Sequence, residues 1–177
     1  TTPYWKDDVR CLVPGLPDAI IIPKVERPED IYEVHELVSE VEKEHGIEVG
    51  TTKFLPILET ALGIENAFLI ASTTTGRLDG MMLGGEDLVT SLGGLRSADS
   101  QEIDYARKHL ICACRACNLN PIDTVYSDVE NMEGMVQDTR YSRQIGFAGR
   151  AVVSPRHVKD VNEIFSPSEK DIQYAKE

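Results

Sequence analysis

The stretch "DAIIIPKVERPEDIYEVHELVSEVEKEHGIEVGTTKFLPILE", residues 18–59, decides the fold. Its first part, "DAIIIPKVE" (18–26), is a short apolar run, the pattern of a buried strand. In "PEDIYEVHELVSEVEKEHG" (28–46) the period changes: Ile31, Val34, Val38 and Val41 recur at helical spacing. Pro28 suits a first helical turn, Glu29 and Asp30 complement the positive end of the dipole, and Gly46 stops the helix. "TKFLPILE" (52–59) is apolar again, a second strand whose end Pro56 makes irregular. Strand, helix and strand in succession form a βαβ crossover, so the two strands pair in parallel.

The rest of the chain continues the alternation. "ALGIENAFLIAST" opens with a short helical turn and ends as a strand near 68–72, and "LDGMMLGGEDL" (78–88) is a strand followed by a Gly-Gly turn. A helix over 97–118 is opened by Ser97, Asp99 or Ser100 as its cap. Then come a strand at 121–128, a helix at 131–146, a strand at 147–155, a helix at 155–165 and a last helix, 167–177, cut short. The strand cores lie near 18–23, 52–58, 68–72, 79–84, 121–127 and 149–153, six in all. An open doubly wound sheet and a (β/α)8 barrel both fit the alternation, although a barrel needs eight strands. No GxGxxG follows the first strand, so a dinucleotide-binding fold has no support.

Composition narrows the function. A chain of 177 residues suffices for one domain, 1–177, with a sizeable core. A net charge of −12 argues against nucleic acid, which needs clustered Lys and Arg. No apolar run approaches the ~18 residues of a membrane helix, and no signal-peptide pattern opens the chain at Thr1. Of Cys11, Cys112, Cys114 and Cys117, the last three lie in "LICACRACNL", where a helix fans them apart instead of converging them on a metal. Free thiols point to a reducing, cytoplasmic compartment. His35, His45, His109 and His157 fall in helical patterns, away from strand ends.

Both architectures place active residues at strand C-termini. Read in order, these are Lys24 and Glu26, Glu59, Ser72 and Thr73, Glu86 and Asp87, Asp128, and Ser154. Such a row of carboxylates repels itself unless a cation sits among them, and hard oxygen ligands suit Mg2+, with Mn2+ as an alternative. Glu59 and Asp87 are the best pair: one ends an apolar strand, the other follows Gly84-Gly85, where backbone approaches a ligand closely. The competing reading pairs Glu59 with an Arg or Lys. Lys24 is either a Schiff-base lysine or an ion-pair partner of the neighbouring acids. Glu65, Glu133, Asp138 and "EVEKEHG" (40–46) read as solvated helix surface.

The blocks "IIIPKVERPEDI", "LPILETALGIENA", "GMMLGGEDL", "DYARKHLICACRA", "IDTVYSDVENMEGM" and "GFAGRAVVSPRHVKDVNEIFSPS", in this order, resemble the citrate lyase beta subunit-like branch of the HpcH/HpaI aldolase superfamily, with malyl-CoA and citramalyl-CoA lyases as relatives. The resemblance covers nearly the whole chain. It implies a TIM-type (β/α)8 barrel, of which about six βα units are present here, and assembly into trimers or hexamers. It implies Mg2+ bound by Glu59 of "LET" and Asp87 of "GGEDL", with a substrate carboxylate held by backbone N–H groups of the Gly84-Gly85-Glu86-Asp87 turn. Lys24, the cation of the strand-end row, is assigned beside Gly84, Gly85 and Glu86 as a substrate-binding group. The implied reaction is carbon–carbon cleavage or formation on a CoA thioester of a hydroxy di- or tricarboxylic acid: citryl-, malyl- or citramalyl-CoA. The family's substrate arginines lie on strands ahead of the first one here, and its lid Asp lies beyond the last residue, so the resemblance places no catalytic residue inside this chain. Ser154 stands in "VVSP" where many relatives have "IHP". A pyruvate-type aldolase acting on free 2-oxo acids and a non-catalytic relative serving as a subunit are the competing readings.

Overall fold

The computed structural model describes residues 2–97, 99–167 and 169–176. Helix α1 (Trp5–Leu12) leads into strand β1 (Ala19–Ile22), followed by α2 (Pro28–Glu44), β2 (Lys53–Leu58), α3 (Ala61–Glu65), α4 (Ala67–Ala71), β3 (Gly80–Leu83) and α5 (Gly85–Leu92). The second half holds α6 (Asp104–Ala116), β4 (Asn120–Asp123), α7 (Met132–Ile145), β5 (Gly149–Arg150), α8 (Pro155–Phe165) and α9 (Glu169–Lys176). All pairings are parallel, and the strand order is β1-β2-β3-β4-β5. Order that follows the sequence without a reversal is the winding of a barrel; a doubly wound sheet turns back at a switch point. The fold is therefore an arc of a TIM-type barrel. Among the described residues no helix is long and apolar enough to cross a membrane.

Two expectations change. Residues 68–72 belong to α4 and its C-cap, not to a strand, so the described sheet has five strands. "AFLIA" is too short an apolar run to separate strand from helix by pattern, and here Ala67, Ile70 and Ala71 turn one helical face inward. Helix α1, which the apolar pattern did not mark, precedes β1. The 97–118 helix starts at Asp104, behind a 3-10 turn over Gln101–Ile103, and no side chain caps it. By contrast, α7 is capped, with Asn131 Oδ1 accepting the Gly134 N–H at 2.9 Å.

Burial alternates strictly along β2. Phe54, Pro56 and Leu58 are buried against the helices, while Lys53, Leu55 and Ile57 face the inside of the arc. On the edge strand β1 the inward Ile21 is 56% exposed, so this strand is buried on one face only. Pro56, lacking an N–H, sits where the ladder skips: partners differ by 24 positions at Phe54–Leu78 but by 25 at Ile57–Met82, a bulge on the β3 side.

Charges lie in the core as well. Asp138, expected on a solvated face, has a side chain only 8% exposed. Arg107 grips both its oxygens (2.9 and 2.8 Å), Arg150 adds a bond at 2.7 Å, and Arg107 also reaches Asp123 at 3.1 Å. Glu42, in the run expected to be solvated, is fully buried. Its carboxylate accepts from Arg77 (3.0 and 2.5 Å), the Thr52 N–H (3.0 Å) and the Gly50 N–H (2.9 Å). Neither acid announces its arginine partners, because these lie far away in sequence.

Burial pushes the Glu42 carboxyl up, but the Arg77 and backbone N–H bonds outweigh it and hold the pKa at about 2. A depressed folded-state pKa contributes stability above the unfolded value, near 4.5, that is lost as pH falls towards 2. Glu42 is expected to account for up to about 3 kcal/mol of that loss. Urea midpoints measured from pH 7 to pH 2 should fall in this window, and Glu42→Gln should lack that share of the fall.

Candidate functional site

The C-terminal ends of β1, β2 and β3 meet at one rim of the arc. Glu59 comes next after Lys53, Leu55 and Ile57 in the inward alternation of β2. The chain then turns into α3, whose cap Thr60 accepts the Gly63 N–H at 3.1 Å. At the end of β3 the Gly84 N–H bonds to the Leu58 carbonyl at 3.0 Å, tying this turn to β2. Helix α5 carries Glu86 and Asp87 in its first turn.

Lys24 joins the two acids. Its backbone N–H donates to Glu59 Oε1 at 2.9 Å, and its ammonium donates to Asp87 Oδ2. The hydrogen bond to Asp87 raises the Lys24 pKa against the effect of desolvation. Lys24 holds a left-handed backbone, φ +52°, uncommon for a residue with a side chain. Gly84 leaves space for Glu59: a Cβ there would lie 2.5 Å from Glu59 Cβ and 2.7 Å from its Oε2. Lys24, Glu59, Gly84 and Asp87 thus converge.

Other strand-end residues do not join them. Ser72 and Thr73 follow a helix, Asp128 lies five residues past β4, and Ser154 caps α8 through the Arg156 N–H. Glu26 is tied by its backbone, the N–H to Asp30 Oδ2 (2.8 Å) and the carbonyl to Asn66 Nδ2 (2.8 Å). The Gly84 and Gly85 N–H groups, expected to face a substrate carboxylate, are engaged by Leu58 and by Thr124 Oγ1 (2.9 Å) respectively. The first-turn N–H groups of Glu86 and Asp87 are the ones left for an anion. The Glu86 carboxylate turns to Arg96 Nε at 2.9 Å, and Arg96 also pairs with Glu102 at 2.5 Å. Sequence reading missed Arg96 and Thr124. Arg96 lies in a Gly/Ser-rich loop with no period, and only the position of Thr124 beside a strand end hinted at it.

The residues fit a hard divalent cation. Glu59 and Asp87 offer oxygen only, and Mg2+ usually takes one or two carboxylates while keeping several waters. Among the described residues no group of three or more His, Cys, Asp or Glu forms a closed cage of the zinc kind. Cys114 is buried, its thiol pushed up to about 12 by burial, and Cys112 is exposed.

Residues 1–155 match the family model described as HpcH/HpaI aldolase/citrate lyase. The chain belongs to that family. Citrate lyase subunit beta of Leuconostoc mesenteroides subsp. cremoris is 37% identical to this family member over 174 residues, 98% of this chain and 57% of that protein. Mitochondrial citramalyl-CoA lyase of Mus musculus is 34% identical over 169 residues, 92% of this chain and 50% of that protein. The chain thus spans about half the length of the curated relatives it matches. A citrate lyase beta subunit from M. tuberculosis, solved in complex with oxaloacetate and magnesium, shares the fold with a TM-score of 0.69 at 24% identity, covering 85% of this chain and 62% of that one.

Proposed function

We propose that this chain carries the metal-holding rim of a Mg2+-dependent carbon–carbon lyase, acting on a CoA thioester of a hydroxy di- or tricarboxylic acid. The observation that carries the reading is the convergence of Glu59 and Asp87, from adjacent βα units, on Lys24. Relatives named citrate lyase subunit beta and citramalyl-CoA lyase support the reaction class. Homo-oligomeric assembly and a cytoplasmic location belong to the same proposal.

In this reading Glu59 and Asp87 hold the ion, which when bound acts as a Lewis acid on a substrate oxygen. The Glu86 and Asp87 N–H groups, with the partial positive charge of the α5 N-terminus behind them, receive the substrate carboxylate. Gly84 keeps the turn low enough for Glu59 to lie against it. The leaving fragment develops enolate charge, and the Lys24 ammonium lies at the same rim to balance it. A second reading, cleavage of a free 2-oxo acid, draws on the oxaloacetate in the M. tuberculosis complex.

Calorimetric titration with Mg2+ tests the metal pair. Losing even outer partners of a metal site costs about 10–100-fold in affinity, so Glu59→Gln and Asp87→Asn should each cost about a hundredfold or more. Undiminished affinity in either variant sinks the assignment. Assays of malyl-CoA and citramalyl-CoA against 4-hydroxy-2-oxo acids separate the two substrate readings.

A further inference from the structure

We infer that Lys24 sets the metal affinity of the rim, its ammonium competing with a divalent cation for Asp87 while its backbone N–H aims Glu59 at the shared position. The inference rests on the two-carboxylate reading above and adds a tuning residue to it.

Lys24 makes two contacts of opposite consequence for a cation. The backbone bond to Glu59 Oε1, at 2.9 Å, fixes one carboxylate oxygen and leaves the other free to ligate. The side-chain bond places a full positive charge on Asp87 Oδ2. A unit charge in contact with one of two ligands both blocks an oxygen and repels an incoming dication. The two contacts are also separable. The left-handed φ of +52° is what delivers the N–H to Glu59 while sending the side chain to Asp87, and glycine adopts that conformation without strain. The Lys24 and Asp87 side chains are 44% and 51% exposed, so the ammonium can leave Asp87 for solvent or for an anionic substrate. A purely structural lysine would behave otherwise, because its removal would loosen the site and weaken metal binding.

The test compares the protein with Lys24→Gly and Lys24→Met by Mg2+ calorimetry, with circular dichroism to show that each variant is folded. Lys24→Gly keeps the backbone N–H and relieves the strained φ; Lys24→Met keeps the aliphatic stem. Both are expected to bind Mg2+ about tenfold more tightly, the scale of one removed neighbouring charge in a partly screened site. Equal or weaker affinity in both folded variants overturns the inference. If Glu59→Gln abolishes binding while both Lys24 variants match the parent, only the tuning role fails. If the parent itself binds no Mg2+, the two-carboxylate reading fails and this inference falls with it.

Discussion

Arg77→Met is expected to cost about 3–5 kcal/mol of stability, the range for breaking a buried ion pair from one side. The Arg77 side chain is fully buried, and all five of its N–H donors are placed. Nε donates to His35 Nδ1 (2.9 Å), one terminal nitrogen to Glu42 Oε1 (3.0 Å) and the Thr52 carbonyl (2.9 Å), the other to Glu42 Oε2 (2.5 Å) and Ser39 Oγ (2.9 Å). The guanidinium also lies over the Phe54 ring, 5.3 Å from its centroid. Burial and the Arg77 charge both lower the His35 pKa, which favours the neutral imidazole whose Nδ1 accepts from Arg77. Methionine fills most of the volume but satisfies none of these partners, and it leaves the Glu42 carboxylate buried without a counter-charge. A single domain has about 5–15 kcal/mol in all, so the loss should show as a large fall in the urea midpoint. The double variant Arg77→Met/Glu42→Leu removes the stranded charge and should recover more than half of the loss. A loss below about 1 kcal/mol in Arg77→Met would show that the pair is not buried in solution as it is here.

This pair also shows where sequence reading stopped. The period of α2 located Ile31, Val38 and Val41 in the core, but Glu42 follows Val41 in a run of charges that looks like solvent-facing surface. Nothing local distinguishes it, because its partner is 35 positions away and reaches it only once β2 and β3 are paired. Asp138 was misread for the same reason. The rim was more legible, since strand-end position is a property of the local pattern: Glu59 and Asp87 could be picked out from where apolar runs stop. The roles of the glycine amides were not, because the Gly85 N–H is satisfied by Thr124, 39 positions on. The strand expected near 68–72 failed where five apolar residues fit either period and packing against α6 decided for helix.

Gly84→Ala is expected to remove Mg2+ affinity almost entirely, by about a hundredfold or more, while destabilising the fold by only about 1–3 kcal/mol. The reason is space, not backbone freedom. Gly84 has φ −101° and ψ 84°, on the side of the map open to any residue, so alanine adds no strain of its own. Its Cβ, however, would lie 2.5 Å from Glu59 Cβ, 2.7 Å from Glu59 Oε2 and 2.9 Å from Ile57 Cγ2. Ile57 lies in β2 and Glu59 directly follows its last residue; the β2 backbone is fixed between β1 and β3, so the most movable of these groups is the Glu59 carboxylate. Pushing it aside breaks its bond with the Lys24 N–H and takes one metal oxygen out of place. Gly94 provides the control, because a Cβ there meets nothing closer than Val89 Cγ1 at 3.7 Å, and Gly94→Ala should match the parent in both affinity and midpoint. Calorimetry with Mg2+ and urea unfolding on the two alanine variants separate the cases. If Gly84→Ala keeps parental affinity, Glu59 is not held against the β3–α5 turn when it meets the ion, and the geometry that links Gly84, Glu59 and Lys24 is not the one that binds metal.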